Sequence, residues 1–142
     1  MRLSQCFIFL FLLLCSCGRC YLSVKREPID QTSLASTFVG SPDPRQKSPP
    51  KGLELILEWI LPGHIMQEEP TLVLSIIYKN HTEEKVCYPI MKRWGTTTYS
   101  VVGEKYQEKG GLLTYKAEII GKNEEVIKEW KQQLWVDLIA ID

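Results

Sequence analysis

The chain has 142 residues, 44% of them hydrophobic and 24% charged, enough for one globular domain and short of two. Its 17 Lys and Arg balance its 17 Asp and Glu, and no basic stripe is interleaved with aromatic residues, which excludes the electrostatic footprint of a nucleic-acid binder. Removing the first 16 residues would take away Arg2 alone and leave the balance close to neutral.

Arg2 precedes nine consecutive apolar residues, Cys6 to Leu14, the length of a signal-peptide apolar core. A membrane-spanning helix needs roughly 20 such residues to cross the hydrocarbon layer, and this run weakens at Ser16, Gly18 and Arg19. The segment 1–16 therefore reads as a cleaved export signal. Cys6, Cys15, Cys17 and Cys20 crowd this end and Cys87 stands alone. A disulfide-stapled scaffold spreads its cysteines through the folded part, so the crowding suggests a processing role for one of them.

Leu14-Cys15-Ser16-Cys17 follows the apolar run directly and resembles the lipobox of bacterial lipoproteins. Leu14 stands three positions before the cysteine and the small Ser16 just before it, whereas Cys15 sits where Ala, Ser or Thr is commoner. The resemblance implies diacylglycerol on the Cys17 thiol, cleavage between Ser16 and Cys17, and acylation of the new amine. One acyl chain holds a protein only marginally, and two or three anchor it stably. The resemblance also implies that Gly18, in place of Asp, directs the product to an outer membrane where the host has one. The general layout is similar to the small uncharacterised lipoproteins of obligate intracellular bacteria. An alternative stays open: Ser16 and Gly18 also suit an ordinary signal peptidase cutting before Arg19, which would give a soluble secreted effector or ligand domain. In a eukaryotic host Asn80-His81-Thr82 would then be a glycosylation acceptor; in a bacterial one it is a polar turn.

Residues 17–52 read as the lipidated N-terminus and a flexible tether. Five of the eight prolines (Pro28, Pro42, Pro44, Pro49, Pro50) lie in it among Ser, Thr, Asp and Lys, and no strand or helix period persists. As a coil it would span roughly 30–35 Å. Ser33 to Val39 is a candidate edge strand within it.

From Leu53 to the end the pattern is that of a folded domain. Leu53, Leu55, Leu57, Trp59 and Leu61 alternate with Glu54, Ile56, Glu58 and Ile60, a strand with one strongly apolar face. Pro62-Gly63 ends it. Leu72 to Lys79 is a second strand, Asn80 to Glu84 a turn, and Val86 to Ile90 a third, with Pro89 pointing to an edge position. Thr96 to Val102 is β-branched and aromatic, Glu104 to Gly111 reads as a loop, and Leu113 to Ile119 alternates again. Val126 to Gln133 fits either a helical face capped by Asn123 or a strand returning across the Gly121 turn; its β-branched pair favours the strand. Leu134 to Ile141 is apolar on both faces apart from Asp137. About seven short strands separated by turns point to an all-β fold, an antiparallel β-sandwich over 53–142. It resembles immunoglobulin-like and fibronectin type III domains in architecture alone, since the Cys…Trp…Cys pattern of true immunoglobulin domains is missing.

No nucleophile elbow, phosphate loop or dinucleotide fingerprint is present, so no enzyme activity and no cofactor is expected. His64 and His81 fall in turns without the spacing of metal ligands. His64 near Glu68 and Glu69 forms an acid-base cluster of the kind that is usually solvated surface. Cys87 is a candidate disulfide partner for Cys20, the bridge pinning the tether to the domain, or else a free thiol. Trp59 and Trp135 lie in strands as core residues. Trp94, in Lys92-Arg93-Trp94-Gly95, is either a plug under the end of the sandwich or, with Arg93, an exposed cluster for a protein partner, a glycan or lipid headgroups.

Overall fold

A computed structural model of the chain describes residues 18–30 and 50–135. Among these residues the fold is an antiparallel β-sandwich of seven strands: β1 (Tyr21–Ile29), β2 (Gly52–Ile60), β3 (Thr71–Tyr78), β4 (Glu83–Pro89), β5 (Trp94–Val102), β6 (Leu112–Ile120) and β7 (Val126–Lys131). A 3-10 helix covers Gly63–Glu68 and a short α-helix, α1, covers Gly103–Lys109. One sheet has the order β1-β2-β5, the other β4-β3-β6-β7. In the immunoglobulin constant-type order the fourth strand extends the sheet that holds the first, second and fifth. Here β4 pairs with β3 instead, which leaves three strands facing four.

Period-two alternation explains why these residues are strands and which face they bury. Leu53, Leu55, Leu57 and Trp59 of β2 point into the core, as do Leu72, Leu74, Ile76 and Tyr78 of β3. Tyr99 and Val101 of β5 and Tyr115, Ala117 and Ile119 of β6 close the layer between the sheets. A fully buried leucine such as Leu57 contributes about 2 kcal/mol through area removed from water. Trp130 of β7 stacks on Tyr115 with ring centroids 5.6 Å apart, so the Val126–Gln133 ambiguity resolves to a strand through Lys131, paired with β6.

The domain starts earlier than residue 53. Tyr21 to Ile29 pairs in full antiparallel register with Ile60 to Gly52, and Leu22 and Val24 are only 5% and 6% exposed in the core. Residues 21–29 are thus an edge strand, not tether, and the link between Cys17 and the domain shrinks to Gly18, Arg19 and Cys20. The candidate edge strand Ser33 to Val39 lies outside the described residues, as do Ser16, Cys17 and most of the Leu134–Ile141 segment. Glu104 to Gly111 also differs from expectation, forming α1 followed by Gly110 and Gly111, whose φ values of 71° and 88° end the helix in a conformation that favours glycine. No helix among the described residues is long and apolar enough to cross a membrane.

The register sorts the connections into two ends. Tyr21 pairs Ile60, Ile60 pairs Trp94, and Thr71 pairs both Pro89 and Ile120. Residues 18–20, 61–70, 90–93 and 121–125 therefore gather at one end. The β3–β4 hairpin and α1 lie at the other.

Candidate functional site

The end that carries the N-terminus is built on β2 and the β4–β5 connection. Ile90 N–H donates to Pro70 O at 3.0 Å as β4 finishes. The chain then crosses between sheets, held by Leu61 N–H to Arg93 O at 2.6 Å and Arg93 Nε–H to Leu61 O at 3.2 Å. The Trp59 indole N–H donates to Lys92 O at 3.1 Å. Gly95 makes room for that indole, since a Cβ there would lie 2.5 Å from Trp59 Cζ2, closer than any real side chain can pack. The plug beneath this turn is therefore Trp59.

Trp94 is thereby released to the surface. It is 72% exposed, and across the outer face of the three-stranded sheet it continues a row with Ile60 (54%) and Tyr21 (45%). Met91, 82% exposed, stands beside the row on the β4–β5 turn. Ile60, Leu61, Lys92, Arg93 and Trp94 line an open pocket of about 370 Å³. Arg19, Lys92 and Arg93 are all exposed. Large apolar side chains and three cations thus share one exposed end of the sandwich.

The other end holds a polar cluster that joins the two sheets. The Tyr78 hydroxyl of β3 and the Tyr99 hydroxyl of β5 are 2.6 Å apart. Tyr78 donates to Glu84 Oε2 at 2.7 Å and Tyr99 to Glu84 Oε1 at 2.9 Å. Lys105, from α1, donates to Glu84 Oε1 at 3.0 Å and to Tyr99 Oη at 2.8 Å, and its Nζ sits 5.1 Å from the Tyr99 ring centre. Lys109, one helical turn on, lies 5.2 Å from the Tyr78 ring and donates to Thr82 Oγ1 at 3.0 Å.

Burial and hydrogen bonding shift three groups of this cluster. Burial pushes the Tyr78 hydroxyl well above the usual tyrosine range, and its bonds to Tyr99 and Glu84 push it further. Burial also raises the Glu84 carboxyl, but hydrogen bonds from Tyr78, Lys105 and Tyr99 outweigh it and hold the group below its ordinary value. Burial opposes the charge on Lys105, yet its bonds to Tyr99 and Glu84 raise it. Each shift favours the form that makes these bonds, a neutral tyrosine, a carboxylate and an ammonium, so the cluster acts as a clasp between the sheets. Sequence reasoning missed this site.

Of the other candidates, His64 and Glu68 share the 3-10 helix and Glu69 follows it. His64 is exposed on the 3-10 helix, and Glu69, exposed and with φ 48°, reaches Lys122 at 3.8 Å. His81 is at the tip of the β3–β4 hairpin, where Asn80 Oδ1 accepts from Thr82 N–H at 3.1 Å and from its hydroxyl at 2.7 Å, so Asn80-His81-Thr82 forms a polar turn. Among the described residues, no three His, Cys, Asp or Glu gather as metal ligands would. Trp135 is half-buried after β7 ends, with Lys116 Nζ 5.1 Å from its ring, not in a strand.

Cys20 and Cys87 are free thiols. Cys20 is half-buried beside β1, where burial raises its thiol and the Lys128 charge on β7 partly offsets this. Cys87 is exposed on β4, at the opposite edge of the four-stranded sheet, three strand spacings or about 14 Å from β7. A disulfide needs Cα atoms within about 7 Å, so the candidate bridge does not fit. Maleimide added without reductant is expected to label Cys87 quickly and Cys20 slowly, read by intact mass and peptide mapping. Labelling of both only after reduction would restore the bridge.

No family model matches the chain, and none of the curated proteins is similar to it. Among solved structures, Northeast Structural Genomics Consortium target SoR45 is 13% identical over 79% of this chain and 84% of that one, with a TM-score of 0.34, a likeness too slight to support any argument about fold or function.

Proposed function

We propose that the chain is an exported lipoprotein, cut between Ser16 and Cys17 and held to a bacterial membrane by lipid on Cys17. Its sandwich performs a structural or binding task in the cell envelope, and no catalytic step. The observation that carries this reading is Leu14-Cys15-Ser16-Cys17 placed directly after nine apolar residues. Supporting it, the first described residues, Gly18 to Cys20, emerge at the end of the sandwich that displays Trp94 and Arg93, and β1 follows at once. With so short a link, a lipidated Cys17 would be attached to a folded body rather than to a loose arm. In a host with two membranes the outer one is favoured, because Gly18 and not Asp follows the cysteine.

Expression in bacteria with labelled palmitate tests the reading. The wild-type protein is expected to carry label and partition into detergent, and Cys17→Ser to lose the label entirely. Unchanged labelling of Cys17→Ser, or wild type recovered only from the aqueous phase, would overturn the anchor in favour of a soluble secreted domain.

A further inference from the structure

We infer that the end of the sandwich carrying Tyr21, Ile60, Met91, Arg93 and Trp94 lies in the headgroup layer of the anchoring membrane, so that the anchor and this face form one membrane contact. The inference rests on the lipoprotein reading and adds an orientation to it.

Chain geometry comes first. A Cβ on Gly18 would sit 3.1 Å from Pro62 Cβ, so Gly18 is packed against the β2–β3 connection. Cys17 is the next residue, and neighbouring Cα atoms are about 3.8 Å apart. Lipid on Cys17 would therefore enter the bilayer within one residue of Gly18 and Pro62, which leaves little chain to lift the domain away. Leu61, the residue before Pro62, lines the pocket with Trp94 and Arg93. Had residues 17–52 been a free coil, the face could have pointed anywhere.

The chemistry of the face is the second argument. Trp and Tyr settle at membrane–water interfaces, where their rings are half-apolar and half-wet, and this face offers Trp94 and Tyr21 with Ile60 and Met91 between and beside them. Cations near an anionic surface are attracted within a Debye length, and Arg19, Lys92 and Arg93 are exposed around the apolar row. Leu61 O takes the Nε–H of Arg93, which fixes the guanidinium at the pocket rim for a phosphate. Of the acids near this end, Glu58 shares the outer face with Ile60, two residues on, and is neutralised by Lys25 at 3.2 Å. Glu68 packs near Gly121, Glu69 pairs with Lys122, and Glu124 and Glu125 belong to the same β6–β7 turn, under the four-stranded sheet. Charge thus tips the three-stranded rim toward lipid. The Tyr78–Glu84–Tyr99 clasp, the β3–β4 hairpin and α1 are left pointing away from the membrane.

The test uses the palmitate-labelled protein in vesicles of phosphatidylcholine and phosphatidylglycerol whose acyl chains carry bromine, a contact quencher of tryptophan. Part of the emission is expected to be quenched. That part should vanish in Trp94→Phe and persist in Trp130→Phe. Arg93→Glu removes one cation and adds one anion, and should lower the docked-to-free ratio roughly 30-fold. Labelled protein without Trp94-dependent quenching overturns the inference and leaves the lipoprotein reading standing. A photo-crosslinker at position 94 that captures one envelope protein, with no quenching in vesicles, overturns it in favour of a protein partner. Should the protein carry no palmitate, flotation with the same vesicles decides: Trp94-dependent flotation keeps the lipid face and removes the anchor, and no flotation removes both.

Discussion

Val24→Asp is expected to unfold the domain, whereas Lys25→Asp, one residue along, is expected to leave it folded. Val24 is 6% exposed and pairs with Leu57 in the core of the sandwich. The substitution removes about 1.5 kcal/mol of apolar burial and asks a carboxylate to lie among leucines, a penalty of several kcal/mol even after relaxation. Together these approach the 5–15 kcal/mol by which a whole domain is stable. Lys25 is exposed on the other face and meets Glu58 at 3.2 Å; Lys25→Asp replaces a surface ion pair by a surface like-charge pair, each worth less than about 1 kcal/mol in water. Urea unfolding followed by tryptophan fluorescence reads both. In a flexible tether the two variants would behave alike, so equal midpoints would remove β1 from the fold.

The strand that this experiment probes is also the one hardest to see in the sequence. β2 and β3 are paired on both sides, and their inward faces repeat large apolar residues along the full length. β1 is an edge strand, and only Leu22 and Val24 mark its inward face before Arg26 and Pro28 break the alternation. Charged residues and proline are what edge strands use to discourage further pairing, and the same residues imitate a linker. Proline content alone could not separate the two, because the distinguishing fact is the register with Gly52 to Ile60, which is a long-range property. Among the described residues seven strands are present, and β1, read in the sequence as tether, is one of them; the Leu134–Ile141 segment lies mostly outside those residues.

The two ends of the sandwich differed in legibility for a related reason. Trp94 beside Arg93 stood out as an aromatic residue next to a cation at a strand boundary, which fits a buried plug as readily as an exposed cluster. Whether Trp94 was plug or surface depended on Gly95, which admits the Trp59 ring and makes the second tryptophan redundant beneath the turn. The clasp gave no local signal. Tyr78 and Tyr99 occupy inward strand positions and look like core. Glu84 lies beside a hairpin and looks like turn. Lys105 belongs to a hydrophilic stretch, and its helix is marked by Glu104 in the first turn, Lys109 in the last and glycine after it, signals that suffice only once the helix is suspected. The four residues are brought together by pairing within one sheet and facing across two.

That clasp carries the second large effect. Glu84→Ala is expected to destabilise the domain by about 2–3 kcal/mol, because two tyrosine hydroxyls and an ammonium lose their shared acceptor. Glu84 and Lys105 keep 32% and 40% of their side-chain surface in water, which holds the figure below that of a fully buried pair. Glu84→Gln preserves shape and one acceptor and should lose about half as much. The pH dependence has a definite sign. Glu84 ionises at lower pH in the folded state than in the unfolded one, so its contribution is present above the ordinary carboxylate value of about 4.3 and is lost as pH falls through the lowered folded value. Lys105 is shifted the other way, upward; its contribution is present below the ordinary lysine value of about 10.4 and is lost only as pH rises beyond it. Wild type should therefore hold a plateau of excess stability over Glu84→Gln between those two limits and converge with it in acid, in urea titrations run at a series of pH values. Tyr78→Phe completes a double-mutant cycle with Glu84→Gln, in which a coupling of about 1 kcal/mol is expected for groups sharing one network. A constant difference from acid to neutral pH, with no coupling, would mean that the sheets are held together by their leucines alone and that the carboxylate only decorates the hairpin.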